Sequence, residues 1–198
     1  MSHTAISRLT LLAAASLVLS ASAFAATPAP AGNYKIDPAH SVAYFELGHL
    51  GGVSRFMGRF NEMSGDLVVD TPTKSSIKVE IKTGSVDTKH EGLDKHLKSP
   101  DFFSAVQFPT MTFSSTGLTL NERGEGTISG SLSLRGVTKP VTFTLKQIGS
   151  GKGMKGETRA GYIASATIKR TDFGMTYGVP GAATDEVDLR INIEAIKQ

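Results

Sequence analysis

Alternation of apolar and polar residues runs through most of this chain and limits the folds that it can adopt. The clearest stretch is IKVEIK at 77–82, in which each apolar residue is followed by a charged one. A period of two places successive side chains on opposite faces of a β-strand that has one buried face. Strands of this kind are predicted at 42–49, 56–60, 63–69, 77–82, 110–115, 118–120, 127–134, 141–145, 158–169 and 187–194.

These segments amount to about eight antiparallel strands, which must stack as a sandwich or close as a barrel. Closure leaves no unpaired strand edge, and a barrel of about eight strands has room for side chains or for one ligand. Composition and periodicity do not choose between the two folds. Turns rich in Gly, Pro, Asn and Asp are predicted at 70–72, 121–124, 136–140 and 149–156.

One short segment departs from the period of two. Leu93 and Leu97 in EGLDKHL, residues 91–97, are four positions apart and therefore share one face of a predicted helix. Pro100 ends or interrupts that turn, and the pair Phe102-Phe103 follows it. We expect one short helix near residues 91–105 that forms a lid or plug over one end of the sheet structure.

The N-terminal residues have the three parts of a secretory signal peptide. Arg8 precedes an apolar run at 9–21, and Ala-Phe-Ala at 23–25 fits a small-residue cleavage site. The apolar run is shorter than the roughly 20 residues that span a bilayer, so stable membrane insertion is not expected. We predict cleavage near Ala25 and a location in the periplasm, with the extracellular space as the second choice.

The chain is thus divided into a signal peptide at 1–25, a flexible leader at 26–32 and one barrel domain at 33–198. There is no cysteine, so neither a disulfide nor lipid attachment through cysteine is available. Lys and Arg total 21 against 18 Asp and Glu, and the two signs are interspersed. A nucleic-acid partner is therefore not expected, whereas a homodimer is left open.

Asp37, His40 and Ser41 suggest a hydrolase as an alternative, because they supply an orienting group, a base and a nucleophile. On a strand, however, His40 and Ser41 point to opposite faces, and there is no Gly-x-Ser-x-Gly elbow. We favour the interpretation that Asp37 and His40 brace the turn into the first long strand. The histidines of the chain lack a metal-binding spacing, so no metal site is predicted.

Six motifs occur in a fixed order: YxIDxxHS at 34–41, HLG at 49–51, LKSPDFF at 97–103, FPxMTFxS at 108–115, GxLxLxGVTKPV at 130–141 and RxDFGM at 170–175. Together with Phe45 they resemble the YceI-like family over nearly the whole chain after the signal peptide. The resemblance implies an all-β, lipocalin-like extended antiparallel barrel that holds a polyisoprenoid or similar long amphiphile. In one place the chain differs, because Leu93-Asp94-Lys95 stand where members commonly carry Arg-Asp before His-Leu.

With this resemblance, the apolar strand faces are interpreted as a lipid-binding lining rather than a solid core. The predicted function is a carrier of a polyisoprenoid or quinone-like lipid, without catalysis, cofactor or metal. The alternatives are the hydrolase above and a stress-protective periplasmic holdase. Ligand contacts are predicted for Phe45, Leu47, His49, Phe56, Phe60, Val79, Ile81, Phe113, Leu132, Phe143, Arg170, Phe173, Leu189 and Ile191.

Two polar residues of this set have specific expectations. His49 is expected to hydrogen-bond the polar head of the ligand at the mouth or in the interior. Arg170 is expected either to lie near the head, with Phe173 against the tail, or to pair with Asp172 or another strand. The pair Phe102-Phe103 is interpreted as a helix anchor rather than a ligand contact.

Overall fold

Twelve strands, one α-helix and three short 3-10 helices form the part of the chain that this computed structural model describes, residues 27–71, 74–115 and 118–198. The predicted signal peptide at 1–25 lies outside these ranges. The strands are β1 (Gly32–Ile36), β2 (Val42–His49), β3 (Ser54–Phe60), β4 (Met63–Val69), β5 (Ser76–Lys82), β6 (Val86–Asp87), β7 (Thr110–Ser115), β8 (Thr119–Leu120), β9 (Glu125–Leu134), β10 (Val137–Lys152), β11 (Thr158–Lys169) and β12 (Ala183–Lys197). The helix α1 spans Glu91–Leu97, and the 3-10 helices are Leu50–Gly52, Thr83–Ser85 and Arg170–Phe173.

The sheet closes into a barrel through β12. This strand pairs with β1 near its C-terminal end and with β2 along residues 183–192. The ring runs β1-β4-β5-β7-β9-β10-β11-β12 and returns to β1, and each of its pairings is antiparallel. β2, β3, β6 and β8 extend β1, β4, β5 and β7, respectively, so four of the eight strands are divided in two. The predicted eight-stranded antiparallel barrel is confirmed.

The alternation of the sequence becomes the inner and outer faces of this barrel. On β5, Val79 and Ile81 are buried, whereas Lys78 and Lys82 are exposed. A glycine completes the inner packing, because a Cβ at Gly58 would overlap the ring of Phe45 on the neighbouring strand. The inward residues of all strands form one apolar cluster.

The helix α1 lies where predicted and covers one end of the barrel. His90 caps its N-terminus by accepting a hydrogen bond from the Leu93 amide at 3.1 Å. Leu97 is buried, and Phe103, just beyond the helix, places its ring 5.1 Å from that of Phe60. The buried Thr83 hydroxyl donates to the Phe108 carbonyl at 2.7 Å and ties the end of this covering segment to β5.

Two predicted turns are wrong in their extent. The turn expected at 136–140 consists of Arg135 and Gly136, both with positive φ, so β10 already begins at Val137. Pro140 is tolerated inside β10 because β11 pairs with β10 only from Thr144 onward, which leaves the proline on a free edge.

The loop expected at 149–156 is also shorter than predicted. β10 continues to Lys152 and β11 begins at Thr158, with Gly149 paired opposite Gly161. Backbone pairing needs no side chain, so the glycines that suggested a loop are part of the β10–β11 ladder. They follow a bulge between Gln147 and Gly149.

Residues 27–30 of the predicted leader contact the end of the barrel opposite α1. The Thr27 carbonyl accepts a hydrogen bond from the buried Gln147 side chain at 2.8 Å. The Pro30 carbonyl accepts one from the Tyr34 hydroxyl at 2.6 Å, and Ala29 packs against the apolar cluster. These residues therefore form a strap across this end of the barrel.

Candidate functional site

The barrel encloses a cavity of about 460 Å³ whose walls are the inward side chains of its strands. It reaches the surface at the end that α1 covers, since Tyr177 both lines it and is half exposed. We call this end the mouth and define it by residues 48–54, 93–103 and 174–183. The opposite end, which carries the strap, is the closed end and comprises residues 27–36, 118–125 and 147–162.

The structure brings thirteen of the fourteen predicted ligand contacts to the cavity wall. They are Phe45, Leu47, His49, Phe56, Phe60, Val79, Ile81, Phe113, Leu132, Phe143, Arg170, Leu189 and Ile191. Their contact with a ligand stays a prediction, but their arrangement around one space is a feature of the fold.

Phe173 is the exception among the predicted contacts. It is only 2% exposed and belongs to the apolar cluster, but it is not part of the cavity wall. The 3-10 helix at 170–173 breaks the strand period after β11, so alternation no longer predicts which side chains face the cavity.

Arg170 is a structural brace of the mouth. Its buried guanidinium donates to the carbonyls of Thr184, Met175, Tyr177 and Ala183 at 2.8 to 3.2 Å. Of the expected roles, pairing with another strand matches these bonds, because Ala183 and Thr184 lie on β12. Among the described residues, no ion pair joins Arg170 to Asp172. Burial lowers the pKa of the Arg170 guanidinium, and its four carbonyl partners fix the segment between the 3-10 helix and β12.

Aromatic side chains that the sequence did not assign to the cavity form much of the mouth. His96, Phe102 and Tyr177 have ring centroids 4.9 to 5.5 Å apart, and all three line the cavity. His96 also contacts the Asp101 carboxylate at 3.0 Å. Phe103, interpreted from the sequence as a helix anchor, packs on Phe60 and also lines the cavity.

Strand β11 supplies three further lining residues that alternation could have revealed. Tyr162, Ala164 and Ile168 occupy even positions of β11 and line the cavity. Met175, by contrast, follows the 3-10 helix, and no periodic signal points to it.

The candidate catalytic residues lie outside the cavity wall and are engaged elsewhere. His40 Nδ1 contacts Asp37 Oδ2 at 2.8 Å, as predicted for a brace of the turn into β2. The Ser41 hydroxyl instead donates to the Glu194 carbonyl at 3.1 Å and accepts from the Glu194 amide at 3.0 Å. Within the described part of the chain, no hydrogen bond joins Ser41 to His40, so the hydrolase triad is not assembled.

Asp37, His40 and Glu194 also come close enough together to resemble a metal site. The Arg159 guanidinium, however, bridges the two carboxylates, at 2.7 Å from Asp37 and 2.5 Å from Glu194. His40 and Arg159 hold the pKa of the Asp37 carboxyl at about 2. This cluster is an ion-pair network on the outer wall, in which the Arg159 guanidinium neutralises the carboxylates that a metal ion would need.

A closed antiparallel barrel around an apolar cavity is the architecture of ligand-binding β-barrels. The profile of the YceI-like domain matches residues 34–195. The UPF0312 protein of Pseudomonas aeruginosa (strain LESB58) is 43% identical over 93% of this chain and 97% of its own length. The chain therefore belongs to the YceI-like family.

Solved structures show the same fold. The crystal structure of the Campylobacter jejuni YCEI protein matches with a TM-score of 0.66 and 29% identity, covering 74% of this chain and 87% of that one. A polyisoprenoid-binding domain from Saccharophagus degradans matches with a TM-score of 0.63 and 15% identity, covering 85% of this chain and 100% of that one. No helix among the described residues is long and apolar enough to cross a membrane.

Proposed function

We propose that this protein is a periplasmic carrier that holds a polyisoprenoid or a similar long amphiphile inside its barrel. The observation that carries the proposal is the internal cavity of about 460 Å³, whose wall is almost entirely apolar. Its volume lies in the range of roughly 300–1,000 Å³ that is typical of small-molecule sites. The fold shared with the polyisoprenoid-binding domain of S. degradans supports a lipid of this class.

The energetics of such a cavity suit storage and transport rather than chemistry. Burial of each methylene group stabilises a complex by about 0.8 kcal/mol, so a prenyl tail supplies a large gross driving force. Ordering of the tail and loss of free translation offset much of it, which leaves an affinity from which a lipid can still be released. The wall has to provide shape and dryness, and no reactive group is required.

The periplasmic location follows from the predicted signal peptide. Export should remove residues 1–25, so intact mass and N-terminal sequencing of the periplasmic fraction should give a chain that begins at Ala26. A cytosolic protein that retains its N-terminus would contradict the location while leaving lipid binding untouched.

Extraction of the purified protein with organic solvent, followed by mass spectrometry, is the direct test of lipid binding. We expect a stoichiometric prenyl lipid, or uptake of added prenyl lipid by the delipidated protein. A protein that yields no lipid and takes up none would end the carrier proposal, and a holdase would then be the better interpretation.

Val79→Glu places a carboxylate in the cavity wall, where Val79 is 6% exposed. An unpaired buried charge is costly, so we expect at least about a tenfold loss of lipid uptake together with a lower melting temperature. Ser114→Glu is the matched control, since Ser114 faces outward on the neighbouring strand, directly opposite Lys78. The same glutamate there should leave uptake unchanged, and a folded Val79→Glu protein with parental uptake would refute this lining.

A further inference from the structure

One side of the mouth carries no charged residue. Residues 47–54, around the turn between β2 and β3, and residues 173–184, which lead into β12, contain no Asp, Glu, Lys or Arg, although these types make up 20% of the chain. The Leu50 amide donates to the Ala182 carbonyl at 2.9 Å, and the Gly48 amide donates to the Thr184 hydroxyl at 2.9 Å. The two segments therefore form one surface, which we call the rim.

The rim presents three large apolar side chains to solvent. Leu50 is 56% exposed, and Val53 and Tyr177 are exposed as well. Leu50 also has a φ of +49°, in the left-handed region that is unfavourable for a leucine. Gly51 and Gly52, which follow it, have positive φ without this strain. The backbone thus holds an exposed leucine in a strained conformation, and strain of this kind is concentrated at binding sites.

Helix α1 and the segment after it form the other side of the mouth and carry both signs of charge. Within residues 93–103, Asp94 and Asp101 are acidic, and Lys95 and Lys98 are basic. A zwitterionic phospholipid presents a phosphate and an ammonium group at the bilayer surface, with apolar acyl chains beneath them. The balanced charges of this segment match such headgroups, and the uncharged rim matches the boundary with the acyl chains.

The closed end has a different surface. A recess beside the strap has the carboxylate residues Asp70 and Glu122 in its wall. The fully exposed Met154 lies in the turn between β10 and β11, close to Lys152 and Lys155. Immersion of these charges among acyl chains would be costly, so the mouth is the end suited to an apolar boundary.

We infer that the mouth docks on the surface of a zwitterionic phospholipid bilayer, with Leu50, Val53 and Tyr177 immersed at the boundary between headgroups and acyl chains. Aliphatic and aromatic side chains are favoured at this depth. The inference rests on the proposed carrier function and goes beyond it by assigning a partner to the outer surface. Because the rim borders the opening of the cavity, a docked protein exchanges lipid with the bilayer without carrying it through water.

Flotation of the mature chain with phosphatidylcholine vesicles, over a range of lipid concentrations, measures docking directly. Leu50→Asn removes the apolar side chain and supplies a residue that tolerates the left-handed conformation. We expect its melting temperature to be at least that of the parent and its vesicle affinity to fall about tenfold. Met154→Asn is the matched control, because it makes the same kind of change at an exposed residue beside the closed end, and it should bind vesicles like the parent.

Salt separates immersion of the rim from adsorption by charge. Because the mouth is uncharged on one side and balanced on the other, raising the salt concentration should leave the affinity for phosphatidylcholine vesicles unchanged. Binding that requires added phosphatidylglycerol and disappears in salt would overturn the inference, since electrostatic attraction to anionic lipid would then account for it.

The remaining outcomes distinguish docking from the carrier function. Equal vesicle affinity of Leu50→Asn and the parent would overturn the role of the rim. A parent that ignores vesicles but forms a dimer, which Leu50→Asn dissociates, would assign the rim to a second copy of the chain. Uptake of prenyl lipid from detergent micelles by a parent that does not bind vesicles would overturn docking alone. A parent that takes up no lipid from either source would refute the carrier function and, with it, this inference.

Discussion

The two ends of the barrel are held together by different kinds of contact. At the closed end, Tyr34 and Gln147 donate directional hydrogen bonds to backbone carbonyls of the strap. At the mouth, the rings of His96, Phe102 and Tyr177 contact one another across two segments of chain. A broken hydrogen bond leaves a buried polar group unpaired, whereas separated rings leave apolar surface that a lipid tail can cover. We therefore expect the mouth, where the cavity reaches the surface beside Tyr177, to be the end that opens.

The surface around each end differs as well. Leu50 and Val53, at the tip between β2 and β3, are exposed at the mouth. They follow Gly48 and His49, which line the cavity, so exposed apolar side chains lie in the segment next to the cavity wall. The closed end presents the carboxylate residues of its recess beside the exposed Ile148 and Met154. Because the cavity reaches the surface at the mouth, beside Tyr177, we expect the ligand to enter there.

Arg170 stabilises the mouth in the way that Tyr34 and Gln147 stabilise the closed end. Its buried side chain donates hydrogen bonds to backbone carbonyls. Arg170→Ala would leave four carbonyls without this partner, so we expect the free energy of unfolding to fall by about 3 kcal/mol or more. Arg170→Lys should restore little, because a single ammonium cannot reach carbonyls spread over residues 175–184.

Urea unfolding followed by circular dichroism would measure this change. Arg190→Ala is the control, since Arg190 is exposed on β12 and its loss should change stability by less than about 0.5 kcal/mol. If the two variants were equally stable, Arg170 would not be the brace of the mouth, and the mouth would depend on its aromatic contacts alone.

The walls of the barrel and the helix over its mouth could be predicted from the sequence, but the aromatic and hydrogen-bonded contacts of the mouth could not. A period of two reports which side chains face inward wherever a strand is regular, as for Val79 on β5 or Leu132 on β9. Thr158–Lys169 and Glu91–Leu97 were even predicted with their observed bounds. Closure itself depends on β12 pairing with both β1 and β2, which no local pattern encodes.

These contacts of the mouth could not be predicted because their residues lie in segments without a strand period. Phe102 and Tyr177 meet only after α1 and the connection before β12 have docked on the barrel. The partners of Arg170 are backbone carbonyls, which every residue carries, so the sequence offers no sign of them. Tyr162 differs, because the even positions of β11 would have shown that it faces inward.

A pair of substitutions at exposed apolar residues tests which end admits the ligand. Val53 at the mouth is 83% exposed, and Met154 beside the closed end is fully exposed. Val53→Asp should slow uptake of a fluorescent prenyl lipid from phosphatidylcholine vesicles about fivefold, because a carboxylate near the opening must be brought against the bilayer. Met154→Asp should leave the rate at its parental value. The reverse result would move the entry route to the closed end.

The smallest expected effect is a dependence of the free energy of unfolding on acid pH. It arises at the outer wall beside the closed end, where Asp37 contacts His40 and Arg159. The Asp37 pKa of about 2 in the folded protein lies below its ordinary value of 3.8. The folded state therefore binds fewer protons than the unfolded state between these pH values. The stabilisation is complete above about pH 4 and is lost as the pH falls towards 2.

Asp37→Asn should consequently be less stable than the parent by about 1 kcal/mol at pH 7, after allowance for solvent screening, and this difference should shrink below pH 4. Urea unfolding at several pH values measures it. Asp66→Asn, which removes only an exposed pair with Lys35, should show a smaller difference. A difference for Asp37→Asn that is constant from pH 7 to 2 would mean that packing, and not charge, accounts for the role of Asp37 at this wall. The closed end would then depend on hydrogen bonds to the strap without the ion-pair network.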